Sequence, residues 1–323
     1  MNNPLITIII TTYKTNERII KAVNSVLNQT YKNYELIVVD DNGLDTPAQK
    51  YTYEILKPFI DKNEIIYIPH EINKNGAAAR NTGIKIAKGD FITFLDDDDF
   101  YSKDRLNVFV ENYNQESDFI YTNCLFYDGE YFYYSTKSDS KDDYITQVLK
   151  QESFWYTGSN MIFKSDILRK INGFDEKFLR NQDMEVMIRL LTVTDNVQFI
   201  DNYCVAKDIS DNRNLPNAER FYETKIKFLT NFKDYINEQN EKDILGINFK
   251  ELLHASMIQG NLKMVFKSLK IIKPYMSISI IKKIAFVIIA CINKTGIINV
   301  NKLLYIWKLK KSICKDEILL NKF

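Results

Sequence analysis

Four consecutive aspartates, Asp96–Asp99, follow directly after an apolar run, Phe91–Leu95. The apolar run predicts a buried strand, and carboxylates at its end place hard oxygen ligands at the edge of a sheet, where open α/β sheets bind ligands. Adjacent like charges repel one another, so the run suits a site that a divalent cation fills. A diphosphate is the anionic substrate that best fits such a cation. The alternative is a solvated acidic surface.

Polar side chains follow two other predicted strands. Thr12 and Tyr13 come after the first apolar run, and Asp40 and Asp41 end the second. The two carboxylates suit hydrogen bonds from a base N–H or a ribose hydroxyl, although an Asp before a turn also bonds the backbone ahead of it. Arg80, on an otherwise small-residue helix, suits a base or a phosphate through its planar fork, with a surface ion pair as the alternative.

Alternating strand and helix patterns position these side chains. The predicted strands of the first part of the chain are Leu5–Ile10, Glu35–Val39, Ile65–Ile68 and Phe91–Leu95. Helices are predicted after the first three strands, at Ile19–Leu27, 46–60 and Gly76–Ala87. This alternation implies βαβ units and a parallel sheet, whose strand ends share one edge. We therefore expect the polar residues described above to meet at that edge.

The pattern changes after about residue 113. Phe119–Cys124 and Tyr131–Ser135 flank an Asp128-Gly129 turn and predict a hairpin. Further predicted elements are strands at Gly158–Phe163 and Asn196–Val205, a helix at about 184–192, and helices from about 216 onward. The expected fold is α/β, a Rossmann-like mixed, mostly parallel sheet flanked by helices, with a C-terminal helical module.

Charge divides the chain into two parts. The 323 residues are 45% apolar and 26% charged, a globular composition, with a net charge of +1. Residues 1–230 sum to −8, whereas residues 231–323 carry 16 Lys against 7 acidic residues, or +9. Such a split predicts two modules with different partners.

Cysteine use and hydropathy predict a cytoplasmic location. The four cysteines are scattered, which predicts neither a zinc site nor a disulfide framework and favours a reducing compartment. The first residues lack the basic and apolar regions of a signal peptide. The longest apolar run toward the C-terminus, Ile284–Ile292, is far shorter than the roughly 20 residues that span a bilayer.

Five segments carry the polar features in a fixed order: 6–14, 25–31, 35–43, 75–83 and 94–99. Their order and spacing closely resemble those of the family 2 inverting glycosyltransferases with a GT-A fold, of the bacterial cell-surface polysaccharide type. The resemblance is strong over about 4–110, moderate over 155–205 and absent from the C-terminal third. It implies a nucleotide-diphosphate sugar donor, usually a UDP-sugar, and Mn²⁺ or Mg²⁺ as cofactor.

The resemblance also implies roles for individual residues. The nucleotide site would contain Thr12, Tyr13, Asp40, Asp41, Arg80, Asp96 and Asp97. Asp98 is the expected direct metal ligand, while Asp96 or Asp97 would face the ribose or the waters of the cation. Four consecutive aspartates leave this register ambiguous by one residue.

Inverting transfer requires a carboxylate that takes the proton of the acceptor hydroxyl as that hydroxyl attacks the anomeric carbon. In the resembled family this base belongs to a Glu-Asp pair at the start of a helix. Gln182 and Asp183 match the pair here, with Gln in place of Glu. Asp183 is therefore the predicted base and Glu185 the second choice. The alternative is that Asp183 only stabilises the helix N-terminus.

One segment resembles the acceptor-side loop of the family. Its expected acceptor-binding residues are Trp155, Tyr156, Gly158, Ser159 and Asn160. An aromatic pair can stack on a sugar ring or pack in a core. The chain departs from the family pattern at Thr11, where Pro is frequent. It also has no His between His70 and His254, although many relatives carry one that helps to hold metal or diphosphate.

The C-terminal module is basic. Lys263, Lys267, Lys270 and Lys273 recur at helical spacing on one face, and residues 252–315 contain no Asp or Glu. A basic amphipathic helix predicts binding to a membrane surface, with a helical cap on the catalytic domain as the alternative. The acidic partner domain and the lack of Arg and of any known motif argue against nucleic acid as a partner.

These features predict a catalytic domain over 1–230, with a nucleotide-binding half (1–113) and an acceptor half (114–230), followed by a helical module over 231–323. The expected activity is metal-dependent, inverting transfer of a sugar to a glycan acceptor, lipid-linked, at the inner face of the cell membrane. One alternative is a nucleotidyltransferase, which would need a Gly-rich loop after the first strand. The other is a non-catalytic metal- or glycan-binding module, but 96–107 lacks the central Gly of an EF-hand loop.

Overall fold

The computed structural model describes residues 3–135, 142–151, 157–210, 217–294 and 313–323. The strands in these residues are β1 (Ile6–Thr12), β2 (Tyr34–Asp40), β3 (Ile66–Pro69), β4 (Phe91–Asp96), β5 (Phe100–Tyr101), β6 (Phe119–Tyr127), β7 (Phe132–Tyr134), β8 (Met161–Lys164) and β9 (Val197–Asp208). They form one sheet in the order β3-β2-β1-β4-β8-β6-β9-β5, and β7 pairs with β6.

Helices connect and cover these strands. The helices of the first part of the chain are α1 (Arg18–Leu27), α2 (Pro47–Asp61), α3 (Gly76–Ile86), α4 (Arg105–Asn112), α5 (Tyr144–Lys150), α6 (Ser165–Lys170) and α7 (Gln182–Leu191). The others are α8 (Ala218–Asn231), α9 (Glu241–Ile258), α10 (Leu262–Ile272), α11 (Ile280–Lys294) and α12 (Glu317–Leu320). No helix in the described ranges is long and apolar enough to span a membrane.

The first half of the sheet is parallel, as predicted. β1 pairs with β2 on one side and with β4 on the other, and β2 pairs with β3. Ile6, Ile8, Ile9 and Ile10 of β1 are fully buried, because α1 and α3 connect these parallel strands and pack on the sheet. The register sets Thr12 opposite Asp40 and Thr11 opposite Asp96. Three strand ends with polar residues therefore share one edge.

The second half makes the sheet mixed. β8 runs antiparallel to both β4 and β6, and β6 forms the predicted hairpin with β7. β9 runs parallel to β6 and antiparallel to the short β5, which directly follows the aspartate run. The predicted α/β class, with a mixed sheet flanked by helices and a C-terminal helical region, is confirmed.

The described residues fall into two compact units. The first contains residues up to 135, 157–210 and 313–323, and the second contains 142–151 and 217–294. The predicted boundary at 230 assigned α8 to the catalytic domain, whereas α8 lies in the second unit, where Lys225 pairs with Glu251 of α9 at 2.7 Å. The C-terminal residues return to the first unit, where the Cys314 N–H donates to the Phe132 carbonyl at 2.8 Å.

Candidate active site

Asp99, the last residue of the aspartate run, points into the protein and is only 2% exposed. Its carboxylate accepts hydrogen bonds from the Thr157 and Ser159 hydroxyls at 2.9 and 2.7 Å. It also accepts the Asp208 N–H at 3.1 Å. Burial, followed by the charge of Asp96, raises the pKa of Asp99 to about 7. Hydrogen bonds of Asp99 therefore connect the aspartate run to β9 and to the turn before β8.

The pKa of Asp98 is strongly raised. Burial and the charges of Asp99, Asp96 and Asp97 raise its pKa to about 8, and Arg18 only partly opposes them. A nearby cation favours the ionised form of a carboxyl group and would offset this repulsion. In the described ranges no three His, Cys, Asp or Glu side chains converge on a metal position.

Asp96 and Asp97 are tied to different parts of the site. Asp96 accepts a hydrogen bond from Arg80 Nη2 at 2.8 Å and a longer one from the Thr157 hydroxyl at 3.3 Å. Asp97 accepts the hydroxyl of Thr12, at the end of β1, at 2.6 Å. The aspartate run thus joins the predicted nucleotide residue Thr12 to the loop that precedes β8.

Arg80 links the aspartate run to the helix that carries the predicted base. Its Nη1 donates to Gln182 Oε1 at 2.8 Å, while its Nη2 donates to Asp96. Its guanidinium also lies 5.4 Å from the ring centre of Phe174. Both arms of the fork therefore bind protein groups in this structure. The predicted contact of Arg80 with a base stays a prediction.

Asp41 is saturated by hydrogen bonds. Oδ1 lies 2.7 Å from His70 Nδ1 and accepts the Lys74 N–H at 2.8 Å. Oδ2 accepts the Asn73 side-chain amide at 2.8 Å and the Asn75 N–H at 2.9 Å. A carboxylate has about four acceptor positions, and all four are occupied here. Asp41 thus orders the loop that leads into α3.

Asp40 is fully buried, and burial raises its pKa. It accepts hydrogen bonds from the Tyr67 hydroxyl at 2.6 Å and from the backbone and side chain of Asn42. Protein donors thus bind both the Asp40 and the Asp41 carboxylates in this structure, and the predicted contact of these residues with a nucleotide stays a prediction. Tyr13 is different, with a side chain that is 49% exposed beside the same edge.

Asp183 is the least engaged carboxylate of α7. It lies half-buried in the first turn, and no other residue in the described ranges donates a hydrogen bond to it. Glu185, the second choice, is 1% exposed and forms an ion pair with Arg189. Glu185 also accepts the Asp175 N–H at 3.2 Å. In the described residues the Glu185 carboxylate is thus bound by protein groups, whereas that of Asp183 accepts no hydrogen bond from another residue.

The expected acceptor loop is described only in part. Trp155 and Tyr156 lie outside the described residues, and Gly158–Asn160 forms a buried 3-10 turn. Ser159 accepts the Asp96 N–H at 3.0 Å, and Asn160 donates to the Thr122 carbonyl at 2.7 Å. Both side chains are fully buried, and their predicted contact with the acceptor stays a prediction. They support the aspartate run from inside the protein.

Lys207 also lies at the site, although it is not among the residues predicted from the sequence. Its neighbour in β9, Asp208, donates its N–H to Asp99, which places this part of the strand beside the aspartate run. Burial lowers the pKa of Lys207, but the charges of Asp99 and Asp96, with a smaller contribution from Asp183, raise it overall. A cation near these carboxylates can interact with an anionic leaving group.

Comparison with protein families gives the class to which this site belongs. Residues 7–172 match the family described as Glycosyl transferase family 2, and residues 91–299 match Glycosyl transferase family group 2. The chain belongs to glycosyl transferase family 2. The prediction of a glycosyltransferase is therefore confirmed.

Three curated relatives are similar over part of their length. An uncharacterized glycosyltransferase of Methanocaldococcus jannaschii, MJ1057, is 32% identical, over 59% of this chain and 66% of its own. The amylovoran biosynthesis glycosyltransferase AmsB of Erwinia amylovora is 30% identical, over 56% of this chain and 62% of its own. The Escherichia coli UDP-Glc:alpha-D-GlcNAc-diphosphoundecaprenol beta-1,3-glucosyltransferase WfaP is 38% identical, over 36% of this chain and 49% of its own.

Two solved structures share the fold. TarS of S. aureus in complex with UDP-GlcNAc has a TM-score of 0.55 at 17% identity, over 84% of this chain and 89% of that one. The mannosyltransferase PcManGT of Pyrobaculum calidifontis, in complex with GDP-Man and Mn²⁺, has a TM-score of 0.54 at 16% identity. It is matched over 90% of this chain and 87% of its own. The predicted GT-A fold is confirmed.

Proposed function

We propose that this glycosyltransferase moves a sugar from a nucleotide-diphosphate donor, in the first instance a UDP-sugar, to a glycan acceptor, with inversion at the anomeric carbon. One observation carries the proposal. The guanidinium of Arg80 donates one hydrogen bond to Asp96, in the aspartate run, and another to Gln182, which directly precedes Asp183. A diphosphate-binding edge and a candidate base are thus connected by a single side chain.

The aspartate run would hold the cofactor. Asp98, with Asp96, would bind Mn²⁺ or Mg²⁺, and the bound cation would offset the negative charge of the donor diphosphate. The charges of Asp99, Asp96 and Asp97, which add to burial in raising the pKa of Asp98, support this assignment, because a cation bound among these carboxylates would offset their repulsion. Tyr13, exposed beside the first strand end, would contact the nucleotide.

Asp183 would act as the general base. It accepts the proton of the acceptor hydroxyl while the hydroxyl oxygen bonds to the anomeric carbon and the bond from that carbon to the diphosphate oxygen breaks. The nucleoside diphosphate leaves with the bonding electrons on the opposite face of the sugar. Lys207, held charged by the neighbouring carboxylates, would stabilise the departing anion.

The acceptor is proposed by analogy with the relatives. AmsB is named for amylovoran biosynthesis, and the name of WfaP specifies an acceptor linked to diphosphoundecaprenol. We therefore place this enzyme in cell-surface polysaccharide synthesis, acting on a lipid-linked acceptor at the inner face of the membrane.

The test is a screen of purified enzyme for metal-dependent release of nucleoside diphosphate. Donors would include UDP-glucose, UDP-galactose, UDP-N-acetylglucosamine and GDP-mannose, each with Mn²⁺, Mg²⁺ or EDTA. We expect one donor to be consumed with Mn²⁺ or Mg²⁺ and not with EDTA. Asp183→Asn should bind that donor and fail to transfer its sugar. Equal turnover with EDTA would overturn the metal assignment. Release of pyrophosphate from UTP in the presence of a sugar 1-phosphate, without release of UDP from any donor sugar, would indicate a nucleotidyltransferase.

A further inference from the structure

The helix α11 presents a row of isoleucines to solvent. The exposed fractions are 74, 80, 55, 52 and 37% for Ile280, Ile281, Ile284, Ile288 and Ile292, in that order. Four of the five recur at steps of four residues and form one stripe along the helix. Monomeric soluble proteins rarely expose contiguous apolar patches of this kind, which mark interaction sites.

The opposite face of α11 packs inside the second unit. Ala290 is fully buried in a cluster with Leu253, Met257 and Val265, and Phe286 is partly buried against it. The helix is therefore held in place by one apolar face while the isoleucine stripe forms a second. A helix that is apolar on both faces needs a second apolar environment.

The charged residues of α11 are all positive. Lys282 and Lys294 are exposed, and at about 100° per residue each lies about 100° or more around the helix from the centre line of the stripe, on opposite sides of it. Residues 252–315 contain no Asp or Glu. A second copy of the chain would bring lysines against lysines, which is unfavourable. An apolar stripe on a helix whose charged residues are all lysines instead complements an anionic bilayer, whose headgroups attract the lysines and whose acyl region takes the isoleucines.

The preceding helix, α10, and the residue after it also carry exposed lysines. Lys263, Lys270 and Lys273 are exposed, and Lys267 lies 3.7 Å from the ring centre of Tyr222. The sequence pointed to this lysine face as the membrane element. The structure shows that α10 offers charge and one exposed aromatic ring, Phe266, whereas the apolar area that could enter a bilayer lies on α11.

We infer that the isoleucine stripe of α11 is a docking surface for an anionic lipid bilayer. The helix lies in the plane of the interface, with Ile284 and Ile288 at the centre of the inserted face and the lysines at the headgroups. This inference goes beyond the proposed function and does not depend on it, because its test measures binding to lipid without any donor or acceptor.

The first measurement is flotation of the full chain with two kinds of vesicle. One contains phosphatidylcholine alone, and the other contains equal amounts of phosphatidylcholine and phosphatidylglycerol. We expect the wild-type chain to float only with the anionic vesicles. The double variant Ile284→Asp/Ile288→Asp should reduce the vesicle-bound to unbound ratio by about tenfold or more. The control variant is Ile318→Asp, because Ile318 is an isoleucine of the first unit that is 79% exposed.

The control variant should float like the wild type, and all three proteins should keep the same circular dichroism spectrum and Tm. Flotation of the double variant at the wild-type level would overturn the inference. So would a wild-type chain that remains unbound, or one that binds both kinds of vesicle equally. A wild-type dimer that the double variant abolishes, without vesicle binding, would show that a second copy covers the stripe.

Cys291 gives a second measurement without a substitution. It is exposed on α11, whereas the other three cysteines are buried, so a thiol-reactive, environment-sensitive dye should label it selectively. Emission of the labelled protein should shift to the blue when anionic vesicles are added. An unchanged spectrum, or a thiol that does not react in the folded protein because another part of the chain covers it, would contradict lipid docking by this face.

Discussion

Arg80 donates a hydrogen bond to Asp96 at 2.8 Å, and its other arm donates to Gln182 at the same distance. A single residue of α3 thereby connects the end of β4 with the first turn of α7. The replacement of Glu by Gln at 182, which departs from the family pattern, suits this contact, because the amide oxygen accepts from Arg80 while its NH₂ donates to the Phe178 carbonyl. The position of Asp183 is thus linked to the position of the aspartate run.

Replacement of Arg80 tests this link. Arg80→Lys keeps the charge but lacks the planar fork, so one of the two hydrogen bonds is lost. A charge-assisted hydrogen bond contributes about 1.5–3 kcal/mol, which corresponds to a decrease of about tenfold to a hundredfold in kcat/KM. The matched control is Arg220→Lys, an exposed arginine of the second unit. Wild-type kcat/KM in Arg80→Lys would show that the fork is dispensable.

Binding of Mn²⁺ at Asp98 should raise the Tm of the wild-type protein more than the Tm of an Asp98→Asn variant. Because the pKa of Asp98 is raised to about 8, folding near neutral pH carries the cost of protonating this carboxyl group. Asp98→Asn removes that cost, so the Tm of the metal-free protein should rise. Mn²⁺ should stabilise the wild type by about 2.7 kcal/mol at a hundredfold excess over its Kd, and should stabilise the variant much less. The experiment is differential scanning calorimetry with Mn²⁺ or EDTA, with the exposed Asp45→Asn as control. An equal Mn²⁺ shift in Asp98→Asn would assign the cation to another aspartate of the run.

The two carboxylates of α7 should respond differently to neutralisation. Asp183→Asn should lower kcat by about 10²–10⁴-fold, the usual contribution of a general base, with little change in donor affinity or Tm. Glu185→Gln should instead lower the free energy of unfolding by about 1.5–3 kcal/mol, because it weakens a buried ion pair with Arg189. Urea unfolding and single-turnover kinetics separate the two effects. The reverse pattern would make Glu185 the base.

The parallel half of the fold was predictable because its signals are local. An apolar run such as that of β1, whose residues are buried on both faces, is recognisable from its own sequence. Parallel pairing then brings the polar residue after each run to one edge, as the register of Thr12 with Asp40 shows. Spacing and residue type were sufficient for this part of the site.

The remainder of the site depends on contacts between distant segments. Lys207 reaches the aspartate run because β9 inserts beside β6 and β5, a pairing that no local pattern encodes. The interior position of Ser159 follows from its bond to Asp99, 60 residues earlier in the chain. Strand order and side-chain partners of this kind follow from packing of the whole sheet, so the sequence indicated residue types without their orientation.

Asp41 is predicted from the sequence to contact the nucleotide, and in the structure its carboxylate is bound by four protein groups. Asp41→Asn leaves one acceptor oxygen and turns an NH₂ group toward donors such as the Asn75 N–H. An unsatisfied buried donor costs about 1–3 kcal/mol, so the free energy of unfolding should fall by about 2–4 kcal/mol. Donor affinity should fall as well, because the loop that Asp41 orders leads into the helix that carries Arg80. Urea unfolding and titration with UDP measure the two effects. The control is Asp45→Asn, because Asp45 is exposed and lies four residues after Asp41 in the chain. A variant with wild-type stability and lost UDP binding would contradict the structural role and would return Asp41 to direct contact with the nucleotide.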